Sequence, residues 1–74
     1  MAERELKSEV TGSVWEIVAS VDDALDPGAT VMYLESMKME IPVIAVDGGT
    51  VVAVLVEKGE SVASGQAVAI IDIP

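Results

Sequence analysis

The fold is decided by residues 23–31, which read DALDPGATV, and by residues 60–68, which read ESVASGQAV. The two stretches align when the chain is shifted by 37 positions, and the alignment continues without a gap on both sides. The matched pairs include Gly12 with Gly49, Val14 with Val51, Asp23 with Glu60, Leu25 with Val62, Gly28 with Gly65, Val31 with Val68 and Leu34 with Ile71. Internal repetition settles architecture before any single motif does. Two copies are too few for a solenoid and predict a sandwich with pseudo-two-fold symmetry.

The residue types predict that each copy is built of strands. Thirteen valines and six isoleucines suit pleated, half-buried surfaces. Turn signals recur at short intervals, as in Asp26-Pro27-Gly28 and Asp47-Gly48-Gly49. No segment favours a helix, so the predicted class is all-β. Strands are expected near 5–10, 13–19, 30–36, 39–45, 50–56 and 67–73, with short pieces near 24–26 and 61–63.

The glycines that match between the copies are interpreted as backbone requirements. Gly28 and Gly65 occupy equivalent places, as do Gly12 and Gly49. Such positions indicate turns with positive φ or close approach of strands. A phosphate-binding loop would need clustered glycines followed by a helix, and neither is present.

Composition excludes several classes of function. Four basic against thirteen acidic residues give a net charge of −9, which disfavours nucleic acid and anionic membrane surfaces as partners. The chain has no cysteine and no histidine, so disulfides, thiolate metal sites and histidine-dependent nucleophiles are excluded. No metal site and no catalytic residues are therefore expected. Residues 1–7 lack an apolar run typical of a signal peptide, and the chain is expected to be cytoplasmic.

The segment that the repeat leaves unexplained is Glu35-Ser36-Met37-Lys38-Met39-Glu40. Adding 37 to position 38 gives 75, one past the last residue, so this segment is predicted to be the hairpin that joins the copies. A lysine at a hairpin tip is exposed, and its amine is a nucleophile once deprotonated.

The two methionines beside that lysine allow two interpretations. Asn, Gly or Asp is usual in a hairpin turn, and exposed methionines suggest a docking patch for a partner. However, Met37 and Met39 have the same parity in a strand, so both could equally point into the core. The residues alone do not choose between a docking site and a plain hairpin.

Residues 35–40 resemble the attachment motif of the biotin carboxyl carrier (biotinyl) domain family, Ala-Met-Lys-Met or Ser-Met-Lys-Met. The resemblance covers roughly residues 10–73. Its upstream part is Val14-x-x-Ile17 and Asp23-x-Leu25-x-x-Gly28-x-x-Val31-x-x-Leu34-Glu35, and its downstream part is Gly49-Thr50-Val51 and Gly59-Glu60-x-Val62-x-x-Gly65. Within this family, the chain resembles the small stand-alone biotin/lipoyl attachment proteins.

The resemblance implies a flattened β-barrel, or barrel-sandwich hybrid, of two four-stranded antiparallel sheets with quasi-two-fold symmetry. It implies one biotinyl domain over residues 1–74, with pseudo-repeats at about 8–37 and 45–74 joined by the 36–40 hairpin. The domain is expected to be a monomer in isolation and to do no catalysis itself. Biotin protein ligase would attach biotin covalently to Lys38, and the carrier would shuttle carboxybiotin between biotin carboxylase and carboxyltransferase subunits.

The same resemblance implies roles for the residues around the lysine. Met37 and Met39 would be the flanking residues that the ligase recognises. Glu35, Ser36 and Glu40 would complete the motif surrounding the cofactor.

One departure and two alternatives accompany this interpretation. Asp22 stands where the family usually has glycine, which predicts a slightly strained turn. A lipoyl carrier on the same fold is one alternative, although lipoyl domains more often show Asp-Lys-Ala at the hairpin. The other is an unmodified β-sandwich interaction module with Met37 and Met39 as its partner patch.

Overall fold

The computed structural model describes residues 2–74 and contains eight strands. They are β1 (Ala2–Lys7), β2 (Gly12–Ile17), β3 (Ala24–Leu25), β4 (Ala29–Ser36), β5 (Met39–Ala45), β6 (Gly49–Val54), β7 (Ser61–Val62) and β8 (Ala67–Ile73). Residues 2–74 form no helix, and so none that is long and apolar enough to cross a membrane. The molecule is elongated, with extents of 35 × 17 × 17 Å.

The strands form two four-stranded antiparallel sheets, ordered β1-β8-β6-β3 and β5-β4-β2-β7. Adding 37 to the residue numbers of β1–β4 gives β5–β8 to within one residue, and the same shift converts one sheet order into the other. Each sheet therefore takes two strands from each half of the chain, so neither half can form a complete sheet alone. The predicted all-β class and the two-sheet architecture with quasi-two-fold symmetry are confirmed.

The core between the sheets repeats the same relation. Its fully buried side chains come in pairs separated by 37 positions, such as Val14 with Val51, Val31 with Val68, and Leu34 with Ile71. Burying a side chain of this size stabilises the fold by about 1.5–3 kcal/mol relative to leaving it exposed. The paired core residues thus hold the two sheets against each other.

The tight turns are also duplicated, in their backbone conformation and in their hydrogen bonds. Gly28 and Gly65 both have φ of 87°, a left-handed value that suits glycine. The Gly28 N–H donates to Ala45 O at 2.8 Å, and the Gly65 N–H donates to Ser8 O at 2.7 Å. Asp22 has φ of 75°, so the strain that the sequence predicted at this position is present.

Three predicted strand boundaries are wrong in an informative way. The first strand is Ala2–Lys7 rather than 5–10, because the Ser8 hydroxyl donates to Val10 O and turns the chain out of the sheet. The second ends at Ile17 rather than 19, since the N–H groups of residues 18 and 19 both donate to Val31 O. The sixth, expected to reach residue 56, ends at the equivalent place, Val54. Apolar residues beyond these points had extended the predicted strands too far.

An aromatic pair lies outside the core. Trp15 is 44% exposed and meets Tyr33 edge to face, with ring centroids 6.1 Å apart and planes at 81°. Such a pair contributes about 0.5–1.5 kcal/mol beyond its buried area. It stiffens the contact between β2 and β4, the strand that leads to the hairpin.

Candidate functional site

The hairpin between β4 and β5 turns in two residues. Ser36 pairs with Met39, which leaves Met37 and Lys38 as the turn. Their φ angles are 52° and 64°, both left-handed, and a two-residue loop with two positive φ values is a type I′ turn. Asn-Gly is the usual sequence for this turn, because left-handed conformation costs other residues about 1–2 kcal/mol each. The chain therefore holds two unsuitable residues at this turn.

Exposure decides between the two interpretations of the methionines. Met37 is 89% exposed and Met39 is 59% exposed, whereas Met32 in the adjoining strand is completely buried. The flanking methionines are not core residues. Their side chains present apolar surface to solvent on both sides of the lysine, as a docking patch requires.

The Lys38 side chain is exposed and makes no ion pair with any described residue. Over residues 2–74, the only ion pair joins Arg4 to Asp47 at 3.1 Å, and these residues lie elsewhere in the fold. The amine is therefore accessible from solvent without the loss of an internal contact.

The base of the hairpin is fixed by the loop before β2. The Ser36 hydroxyl donates to Thr11 O at 3.0 Å, and the Thr11 hydroxyl accepts from the Ser64 N–H at 3.1 Å. Gly12 follows at a point where a Cβ would overlap Glu35 O, so only glycine allows β2 this close to β4. These contacts tie the strand end that carries the turn to two other parts of the chain.

The carboxylates of the motif lie one step below the turn. Glu35 and Glu40 are directly opposite each other across the β4–β5 ladder, and both are exposed. Like charges at directly opposite positions repel each other, so this pair reduces the stability of the hairpin. Its effect is a negative potential at the foot of the segment that carries Lys38.

The structure thus brings together all six residues that the sequence singled out, residues 35–40, in one hairpin. Sequence reasoning missed Thr11, for which the repeat gave no signal. It found Gly12 only as a matched glycine, without its contact to the hairpin. No group of three or more acidic, histidine or cysteine side chains in residues 2–74 could hold a metal ion. What the arrangement offers chemically is one presented primary amine.

Residues 28–71, more than half of the chain, match a family described as "Biotin-requiring enzyme". The chain belongs to the biotin/lipoyl attachment family. The matched region contains the whole hairpin and three of the four strands of its sheet, namely β4, β5 and β7.

Relatives in this family extend the similarity over almost the full chain. A biotinylated protein TB7.3 homolog of Mycobacterium leprae is 42% identical over 71 residues, covering 96% of this chain and 99% of that protein. The urea carboxylase structure of Kluyveromyces lactis superimposes with a TM-score of 0.91 at 38% identity, over 97% of this chain but only 6% of that one. A dihydrolipoyllysine-residue succinyltransferase component of Staphylococcus saprophyticus is 31% identical over 68 residues, 90% of this chain and 16% of that protein.

Proposed function

We propose that the protein is a biotin carrier and that Lys38 Nζ is its attachment point. The observation that carries this proposal is the turn itself: two residues unsuited to a type I′ turn occupy it, and they are the lysine and an almost fully exposed methionine. A hairpin selected for stability alone would have Asn-Gly there. The function that explains the exception is presentation of an amine.

The chemistry at Lys38 is acylation. The deprotonated Nζ attacks the acyl carbon of biotinyl-adenylate in the active site of a biotin protein ligase, an amide bond forms, AMP leaves and one proton is released. The amide is uncharged, so the formal charge of the protein changes from −9 to −10. Lys38 fits the role of attachment point for biotin, because its amine is exposed and is held in no ion pair with a described residue.

The protein itself contributes position rather than catalysis. Attached biotin supplies the carboxyl-carrying chemistry, which the amino-acid side chains lack. The paired strands β4 and β5 and the two-residue turn hold the attachment point at the tip of the hairpin, and tethering raises the effective concentration of the cofactor at each partner. The partners proposed are a biotin carboxylase and a carboxyltransferase, in line with the likeness to a domain-sized part of a urea carboxylase.

Lipoylation is the second candidate, favoured by the relative from a 2-oxoglutarate dehydrogenase complex. Met37 and Met39 weigh against it, since lipoyl domains more often have Asp and Ala beside the lysine. Both candidates use the same amine, so they differ in the ligase that recognises the hairpin.

The test is intact-mass analysis after incubation with biotin protein ligase, biotin and ATP. We expect one biotinyl adduct on the wild type and none on Lys38→Arg. The matched controls are Lys7→Arg and Lys58→Arg, which remove the other two lysines and are expected to be acylated like the wild type.

The other results would each point elsewhere. A lipoyl adduct formed by lipoate ligase, with no reaction from biotin ligase, would select the second candidate. No adduct from either ligase on a folded protein would contradict both and favour an unmodified interaction module. An adduct that persists in Lys38→Arg would place the attachment point on another residue.

A further inference from the structure

The exposed methionines stand out against the third methionine that the structure describes. Met37 and Met39 are 89% and 59% exposed, and Met32 is 0% exposed. Thioether oxidation by peroxides follows access of the oxidant to sulfur. The chain therefore places two readily oxidised side chains immediately on either side of Lys38, and one protected methionine a short distance along the same hairpin.

The other half of the molecule shows that the fold does not require methionine at the position of Met39. The residue equivalent to Met39 is Ala2, which pairs with Ile73 as Met39 pairs with Ser36. Among residues 2–74, the β5 end of this equivalent pair carries an exposed methionine and the β1 end carries alanine. Since packing does not explain the methionines, their side chains are free to serve recognition and to be chemically modified.

We propose that Met37 and Met39 form a reversible oxidation site that controls acylation of Lys38. Hydrogen peroxide transfers one oxygen to each sulfur: its O–O bond breaks, an S–O bond forms and water leaves, so the thioether is oxidised and the peroxide reduced. Methionine sulfoxide reductases reverse the step, with two thiols becoming a disulfide and the oxygen leaving as water. This proposal rests on the proposed function, because its output is the acylation of Lys38.

The physical effect of oxidation is local. A sulfoxide is polar and chiral, so an apolar docking surface on each side of the lysine becomes a pair of strong hydrogen-bond acceptors. A ligase site shaped for thioethers would bury these oxygens without partners, which disfavours binding by about tenfold or more. The sheets are unaffected, because neither side chain belongs to the core.

The experiment treats the full-length apo protein with graded hydrogen peroxide, removes the oxidant, and maps oxidation by peptide mass. The expected order is Met37 first, Met39 second and Met32 last, with an unchanged far-ultraviolet circular dichroism spectrum. Ligase kcat/KM for the protein oxidised at both hairpin positions is expected to fall at least tenfold. Incubation with reductases for both sulfoxide epimers should restore it.

The matched control is the Met37→Leu/Met39→Leu double variant, whose side chains keep the apolar bulk but cannot be oxidised. Its acylation rate is expected to be the same before and after peroxide. Three results overturn the proposal: oxidised wild type acylated at the untreated rate, equal loss of rate in the double variant, or oxidation of Met32 as fast as of Met37. If untreated protein accepts no biotin, the proposed function itself fails, and the oxidation control falls with it.

Discussion

Replacing Lys38 by glycine should make the protein more stable while it removes the proposed attachment point. Lys38 has φ of 64°, in the left-handed region that disfavours a side chain with a Cβ. It is exposed and outside any ion pair among the described residues, so the substitution removes no stabilising contact. The substitution also removes a positive charge near Glu35 and Glu40, so it is compared with a control that loses the same charge from a turn without a positive φ.

The magnitude follows from two opposing contributions. Relief of the left-handed conformation contributes about 1–2 kcal/mol. The additional conformational freedom of glycine in the unfolded chain lowers the free energy of unfolding by about 0.5–1 kcal/mol. The net gain in the free energy of unfolding is about 0–1.5 kcal/mol, and for a domain of this size the midpoint of about 0.75 kcal/mol should raise Tm by about 3–6 °C.

The assay is chemical or thermal denaturation of wild type, Lys38→Gly and Lys58→Gly. Lys58 is the matched control, because it is also an exposed lysine in a turn but does not have a positive φ. There glycine brings only its entropic cost, so Lys58→Gly should lose about 0.5–1 kcal/mol. If Lys38→Gly is as destabilised as Lys58→Gly, the strain assigned to the hairpin does not exist and the argument is refuted.

Three further predictions concern the hairpin and its base. Met37→Ala and Met39→Ala should stay within about 0.5 kcal/mol of wild-type stability while ligase turnover drops, and unfolding of both variants in a denaturation assay would instead assign the methionines to the core. Gly12→Ala should lose about 1–3 kcal/mol by denaturant titration, since its Cβ would push β2 away from the hairpin strand, and an unchanged stability would contradict the close approach. Ser36→Ala should lose about 0.5–1.5 kcal/mol with its hydrogen bond to the backbone before β2, and equal hydrogen-exchange rates of hairpin amides in variant and wild type would argue against this clamp.

Much of the fold could be predicted because the two halves of the chain can be aligned with each other. A single β-rich sequence leaves strand pairing open, but two copies at a shift of 37 residues require equivalent surroundings for Gly12 and Gly49. The structure gives both the same close approach, with a Cβ at either position overlapping the carbonyl of the neighbouring strand, although only Gly49 also has a positive φ. Strand ends were less accessible to prediction. Residues such as Val18 continue the apolar pattern, while the N–H groups of Val18 and Ala19 both donate to Val31 O, which interrupts the regular ladder.

The candidate site, too, could be predicted only in part. Residues 35–40 could be identified from sequence, because they are contiguous and lie where the repeat stops. The support from Thr11 could not, because its backbone carbonyl accepts from the Ser36 hydroxyl 25 positions away and its hydroxyl accepts from the Ser64 N–H 53 positions away, and each bond has a backbone partner that any residue could supply. The exposure of Met37 and Met39 could not be predicted either. Strand parity shows which residues share a face of the strand, but it does not show whether that face is buried or exposed at the end of a hairpin.

The repeat also separates what the fold requires from what the function requires. At two pairs of matched turns with a left-handed residue, both halves supply a residue that tolerates this conformation: glycine at 28 and 65, and aspartate or glycine at 22 and 59. The hairpin breaks this rule, since its two left-handed positions hold Met37 and Lys38 at a cost of about 1–2 kcal/mol each. Mutation to a better turn residue is a short step that would increase stability. Retention of a poor one is explained if the ε-amine does something that no turn-forming residue can do, and formation of a stable amide with a carboxylic cofactor is such a reaction.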